Sequence, residues 1–187
     1  MRQLIVTAFV SLDGVIDSPG GDDGYRNAGW TFKDVEFDPA VYELKGREQE
    51  EAGALIFGRR SYEIFAPVWP TMDEFARFNS LPKYVVSTTL QTDDARWPAT
   101  ILRSTEEVAA LKETDGDPIL LQGSGVLGAS LADAGLVDRY NLLVFPLLLG
   151  SGRRLFSESE HDTTKLKLVE HEVYSNGIQK QIYDVVK

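Results

Sequence analysis

Apolar residues in this chain come in short runs, and the spacing of those runs alternates between strand and helix character. Leu4-Ile5-Val6-Thr7-Ala8-Phe9-Val10 is rich in β-branched and aromatic residues and predicts a buried strand. Ala54–Phe57, Tyr84–Ser87, Ile119–Leu121 and Tyr140–Phe145 predict further strands, and Ile101-Leu102 a short edge strand. Helical patterns fall between them. Asp38 as N-cap and Pro39 at the first position open a helix whose inner face holds Val41, Leu44 and Ala52. A short helix near Ser61–Phe65 follows the second strand, and a Pro- and polar-rich connection leads on to Tyr84. Ser104 with Glu107 forms a capping box ahead of Val108 and Leu111, and a helix over Val126–Ala134 stops at Gly135. Leu166–Tyr174 and Ile178–Val186 have strand composition and flank Ser175-Asn176-Gly177, a hairpin signal. The order predicts an α/β domain of three layers over residues 1–187, with a mostly parallel central sheet and an antiparallel C-terminal hairpin. No repeat or linker divides it.

One segment breaks the pattern. From about Ser11 to Thr31 the chain holds many Gly and Asp residues, a proline and little periodicity. Structureless loops of about twenty residues are uncommon in compact domains and are usually functional or disordered. Composition narrows the partners. With 29 acidic and 19 basic side chains the formal net charge is −10, which disfavours nucleic acid and anionic membranes and requires any anion site to be built locally. Cys is absent, so disulfides and thiolate metal sites are excluded, and two histidines, His161 and His171, make a histidine metal cluster unexpected. No apolar run reaches membrane-spanning length and no leader is evident, so the expected location is the cytoplasm.

Candidate chemistry collects at strand ends. In open α/β sheets ligands sit beyond the carboxyl ends of the strands. Gly58-Arg59-Arg60-Ser61, Ser87-Thr88-Thr89 and Gly123-Ser124-Gly125 all fall there, offering backbone N–H groups, hydroxyls and guanidinium groups. Together they suggest a ligand with several phosphates or ribose hydroxyls, such as a dinucleotide. Gly123-x-Gly125-x-x-Gly128 matches the letters of the dinucleotide fingerprint but lies late in the chain, and no acidic residue ends a strand about twenty residues later, so a standard Rossmann first unit is not expected.

In order, these pieces resemble the dihydrofolate reductase-like superfamily, most closely the branch holding the reductase domain of riboflavin biosynthesis. The resemblance runs through Ser11-Leu12-Asp13-Gly14-Val15-Ile16, Gly58-Arg59-Arg60-Ser61-Tyr62-Glu63 and Val86-Ser87-Thr88-Thr89-Leu90. It continues through Gln122-Gly123-Ser124-Gly125-Val126-Leu127, Leu136-Val137-Asp138 and Pro146-Leu147-Leu148-Leu149-Gly150-Ser151-Gly152. The resemblance implies NADPH binding and hydride transfer. By it, Gly58, Arg59, Arg60 and Ser61 hold phosphate, with an arginine at the 2′-phosphate, and Ser87 and Thr88 lie beside the adenosine. Gly123, Ser124, Gly125, Val126 and Leu127 wrap the pyrophosphate and nicotinamide, Ala8 passes the nicotinamide and the substrate ring, and the long loop is the lid. The same resemblance implies a homodimer.

Two departures weigh against folate itself. The carboxylate that anchors a pterin has no clean match among Asp34, Glu36 and Asp38, and the Gly-Gly pair of the late turn is Gln122-Gly123. The candidate catalytic or substrate-contacting residues are Asp13, Trp30 and Asp34. Asp13 and Trp30 have alternative readings, a turn at Asp13-Gly14 and burial against the sheet, and Asp38, which could act in the same way as Asp34, reads as the cap of its helix. Arg153 and Arg154 read as exposed loop arginines, His161 as a solvated residue, and Leu147–Leu149 as core or subunit interface. Two functions follow: an NADPH-dependent reductase of a small heterocyclic (pterin- or pyrimidine-like) or carbonyl substrate, or a nicotinamide-dinucleotide-binding module without turnover. Hydride transfer needs positioning and water exclusion rather than a protein nucleophile.

Overall fold

A computed structural model describes residues 1–21, 24–156 and 163–187; His161 lies outside them. Among the described residues, eight strands join one sheet, in the order β4-β3-β2-β5-β1-β6-β8-β7. They are β1 (Leu4–Ser11), β2 (Ala54–Gly58), β3 (Lys83–Val86), β4 (Thr100–Leu102), β5 (Ile119–Gln122), β6 (Arg139–Phe145), β7 (Leu166–Val173) and β8 (Gln179–Val185). The first six pair parallel, and β8 joins β6 antiparallel with β7 outside it. This is the predicted α/β architecture.

Burial explains the patterns. β2, in the middle of the sheet, buries Ala54, Leu55, Ile56 and Phe57 completely, because helices cover both of its faces. Leu4, Val6, Ile56 and Leu121 pack with Val108, Leu127 and Leu131 on one face, beneath α5 (Thr105–Lys112) and α6 (Gly125–Asp133). Alternate residues turn to the other face. There Ile5, Leu55, Phe57 and Val85 meet Tyr62 of α3 (Arg59–Phe65) and Phe78 of α4 (Ala76–Ser80). On that same face Leu143 and Phe145 meet Val41 and Leu44, which lie in the 3-10 turn Pro39–Tyr42 and in α2 (Glu43–Glu51). β7, at the outer edge, is exposed along nearly its whole length.

The predicted caps form. Asp38 accepts from the Ala40 amide at 3.0 Å and Ser104 from the Glu107 amide, and Gly135 takes the left-handed φ of +68° that ends α6. Asp138 fixes the amino end of the sheet, accepting from the Leu4 amide at 2.8 Å and from Lys112 Nζ at 2.5 Å.

Two stretches depart from expectation. The connection after α3 is not irregular: it folds into 3-10 turns at Trp69–Thr71 and Asp73–Phe75 and then into α4. What holds it is aromatic packing rather than periodicity, since Trp69 stacks on Phe65 and Phe75, each at 4.4 Å, and meets Trp97 edge-on. The long loop also contains a helix, α1 (Trp30–Lys33), entered through Gly29 at φ +77°.

Candidate functional site: a crevice at the ends of β1 and β5

β5 stops at Gln122, level with Thr7 of β1. β1 and β6 continue side by side to Ser11 and Phe145, so among the described residues no strand lies beside residues 8–11 on the β5 side. The chain leaves β5 towards α6 on one face, and leaves β1 towards α2 on the other. Such a divergence opens a crevice at the carboxyl ends of the two strands, the place where open α/β sheets bind ligands. Ala8, partly buried, is the first β1 residue beyond the pairing with β5.

Two strand–helix junctions flank this crevice and are joined to each other. The Gly58 amide donates to Ser124 Oγ at 2.8 Å, and the Ser124 amide donates to Ser61 Oγ at 2.9 Å. Ser124 adopts a left-handed conformation, φ +58°, directly after Gly123 at φ +61°. This double reversal ends β5 and starts α6 within two residues. In the first turn of α6 the amides of Gly125, Val126 and Leu127 have no acceptor among the described residues, as expected of a helix start. Val126 is exposed and Leu127 is buried. A Cβ on Gly125 would lie 2.7 Å from Ile16 Cδ1 and 3.0 Å from Arg153 Cδ, so glycine lets these two side chains close over the helix start.

Arg59 stands at the carboxyl end of β2 and reaches across to the loop after β3. Its Nε donates to Glu63 at 2.7 Å and its Nη1 to Thr89 Oγ1 at 2.9 Å. Arg60 is exposed beside it. Ser87 Oγ accepts from the Thr89 and Leu90 amides, leaving Thr88 exposed at the turn. Arg103, not singled out from the sequence, donates from Nη1 to the Ser87 and Leu90 carbonyls at 2.8 and 2.7 Å and shapes the same loop. Thus the structure brings Gly58, Arg59, Ser61, Gly123, Ser124 and Gly125 to one edge, with Ser87 and Thr88 at its side.

The three residues proposed for chemistry are placed differently. Asp13 accepts from Ser11 Oγ at 2.6 Å, from the Leu149 amide at 3.1 Å and from the Gly150 amide at 2.8 Å. These hydrogen bonds, led by that from Ser11, hold its carboxyl below the usual carboxylate range. Asp13 therefore latches one loop to another. Trp30 is fully buried, with Nε1 donating to the Asp17 carbonyl at 2.8 Å and the ring edge-on to Phe145. It anchors the long loop and offers no open ring face. Asp34 is exposed at the end of α1.

The loop after β1 is paired with the loop after β6. The Leu12 amide donates to the Leu147 carbonyl, Ile16 to Arg153 and Leu155 to Gly14, all at 2.9 Å, and the Arg153 amide donates to Asp17 Oδ2 at 2.6 Å. Arg154, exposed as expected, donates to the Asp13 carbonyl. Leu148 is 75% exposed.

Sequence reasoning missed Lys45 and Glu48. Glu48 is only 4% exposed, although it lies on the same stripe as Val41, Leu44 and Ala52. An ionisable residue on an otherwise apolar stripe was the readable signal. Lys45 Nζ meets Glu48 Oε2 at 3.2 Å, and Asn141 Nδ2 donates to Glu48 Oε1 at 2.9 Å.

Known proteins share this architecture. Residues 2–180 match the RibD C-terminal domain family. The uncharacterized protein YyaP of Bacillus subtilis is 25% identical, with 97% of this chain and 94% of that protein covered. A solved protein of Shewanella sp. PV-4, assigned to riboflavin biosynthesis, superimposes with a TM-score of 0.80 at 22% identity, over 100% of both chains. A pyrimidine reductase-like protein of Corynebacterium diphtheriae gives 0.67 at 16% identity, covering 100% of this chain and 92% of that one. Dihydrofolate reductase of Enterococcus faecalis, solved with NADP(H), gives 0.65 at 15% identity over 99% and 97% of the chains. At these identities the likeness to the solved structures establishes a dihydrofolate reductase-like fold.

Proposed function

Because the chain belongs to the RibD C-terminal domain family, we propose that it is a reductase that uses NADPH to reduce a small heterocyclic or carbonyl compound. The observation that carries this reading is the crevice between β1 and β5, with linked glycine turns on its flank and the Arg59 guanidinium at its side. The residues fit a dinucleotide. Arg59 and Arg60 suit a 2′-phosphate, the first-turn amides of α6 suit a pyrophosphate, and Ala8 leaves room for a flat ring against β1. When bound, NADPH supplies the hydride. The protein's share is to hold two rings in register and exclude water, and the paired loops after β1 and β6 are placed to do so.

A non-catalytic dinucleotide-binding module is the second reading. It is favoured by one observation: Asp13, Trp30 and Asp34 are engaged in loops or lie exposed, so none presents an acid to the crevice. Calorimetry with NADPH and NADH, followed by a screen for NADPH oxidation against pterins, pyrimidines and aldehydes, separates the two. Turnover of any compound establishes the reductase, and tight binding without turnover favours the module. Failure of both dinucleotides to bind at millimolar concentration overturns both.

We also infer a homodimer acting in the cytoplasm on a small molecule. Exposed Leu148 and the row Leu166, Leu168 and Val173 on the outermost strand offer apolar surface for a second copy. Among the described residues no helix is long and apolar enough to cross a membrane.

A further inference from the structure

Beside the crevice, on the face of the sheet that α2 covers, lies a partly buried ion pair between Lys45 and Glu48. α2 packs on the face of the sheet that carries Phe9, and Lys45 stands in its first turn, near the carboxyl edge. The Lys45 ammonium donates to Thr7 Oγ1 and to Glu48, and lies 4.9 Å from the centroid of the Phe9 ring. Thr7 is the last β1 residue paired with β5, so this charge sits where the open edge of β1 begins. Glu48, through its second oxygen, is fixed by Asn141 Nδ2, and Asn141 Oδ1 is buried with no donor among the described residues. Burying the Glu48 carboxylate is tolerable only with such partners, and together they hold the ammonium in place.

Two of the ammonium's three N–H groups are thereby used, and the Lys45 side chain remains 20% exposed. From the surface, aromatic rings lead down to it. Phe37, 69% exposed, stacks on Tyr42 at 5.5 Å, and Tyr42 meets Phe9 edge-on at 6.3 Å. Such rings offer stacking partners to a flat group. Its leading edge then meets a fixed N–H donor that carries a full positive charge. Oxygen acceptors are welcomed there, whereas an amino or amidinium edge meets like charge.

We propose that Lys45 sets the polarity of the compound the crevice takes: a flat conjugated group whose leading edge carries hydrogen-bond acceptors, carbonyl or carboxylate oxygens, rather than donors or positive charge. The inference rests on the reductase reading, in which Nζ holds a proton against the acceptor's heteroatom. Lys45 is the specificity-determining residue, and Glu48 and Thr7 position it.

Benzoate and benzamidine test this, since they share shape and differ in the sign of their edge. Backbone amide chemical shifts of the whole chain, titrated with each probe with and without NADPH, give affinity and location. Benzoate should shift Thr7, Phe9 and Tyr42 and bind about tenfold or more tightly than benzamidine, as one hydrogen bond to a charged group allows. Lys45→Met should reverse that order and Lys45→Arg should keep it. Equal affinities in the wild-type chain, shifts confined to another surface, or an unchanged order in Lys45→Met overturn the proposal. If Lys45→Met does not fold, the doubly neutral variant K45Q/E48Q decides: loss of the preference supports the proposal and retention overturns it. NADPH affinity is read separately. Failure of NADPH to bind, with the benzoate preference intact, removes the reductase reading while supporting the polarity of the site. Normal NADPH binding without the preference removes only the role of Lys45.

Discussion

Ser61 and Ser124 complete each other's junctions: the Ser124 amide donates to Ser61 Oγ at 2.9 Å, and Ser124 Oγ accepts from the Gly58 amide, at the start of Ser61's own helix, at 2.8 Å. Two turns separated by more than sixty residues of sequence thus have one geometry. Each hydroxyl satisfies a partly buried donor, so Ser61→Ala or Ser124→Ala should cost about 1–3 kcal/mol. Because both act on one assembly, a double-mutant cycle should show coupling of about 0.5 kcal/mol or more. Urea unfolding supplies the stabilities. NADPH titration should show weakened binding in each variant, and additive stabilities with unchanged binding would mean the turns are independent.

Arg59 carries the sharpest cofactor prediction. NADH lacks the 2′-phosphate, and hydrogen bonds to charged groups are worth roughly 1.5–3 kcal/mol each, so one arginine contact implies about a ten- to hundredfold preference for NADPH. Arg59→Ala should erase most of it and leave NADH affinity nearly unchanged. Thr89→Val removes a hydroxyl that steers the guanidinium and should have a smaller effect of the same kind. Equal weakening of both dinucleotides by Arg59→Ala would assign the residue to the pyrophosphate or to the fold. If Arg60→Ala alone changes the ratio, the phosphate lies at Arg60.

Asp13 predicts a pH dependence. Its folded pKa lies below the ordinary 3.8, chiefly through the Ser11 hydroxyl. A depressed carboxyl adds stability that is present above the unfolded value and lost as pH falls through the folded one. The wild-type chain should therefore lose stability below about pH 4, and Asp13→Asn should flatten that part of the profile. At neutral pH the Asn variant should be less stable by about 1–2 kcal/mol, since only one of the two oxygens that accept from the Leu149 and Gly150 amides remains. Thermal unfolding between pH 3 and 7 measures both. Identical profiles for the two proteins would exclude Asp13 as the latch.

Light scattering tests the dimer. A mass near twice the 20.8 kDa of one chain at micromolar concentration is expected. Charge placed on the outer strand, as in Leu168→Glu, should bring the mass down to one chain without unfolding it. A wild-type mass near 20.8 kDa refutes the assembly.

The fold was legible in the sequence wherever one physical signal dominated. β2 is apolar throughout because both of its faces are covered, and Asn176-Gly177 announces the hairpin because few residues tolerate the φ of +83° found at Gly177. The segment around Trp69 was opaque: its order comes from rings brought together from distant positions, which no local period records. In the candidate site the backbone turns could be read, since glycines and hydroxyls mark them. The partners of Asp13 and Lys45 could not, because Leu149 and Thr7 reach them only through tertiary contacts.

The pairing of the loops after β1 and β6 bears on how the crevice opens. A lid made of one loop can lift by itself. Here Leu12 is tied to Leu147, Asp13 to Leu149 and Gly150, Ile16 to Arg153, and Leu155 to Gly14, so neither loop moves far while the other stays. Any opening of the crevice should then be a single cooperative event with a single rate. The amide hydrogens of Ile16 and Leu155, far apart in the sequence, should exchange with solvent at the same pace, and loosening either loop should quicken both.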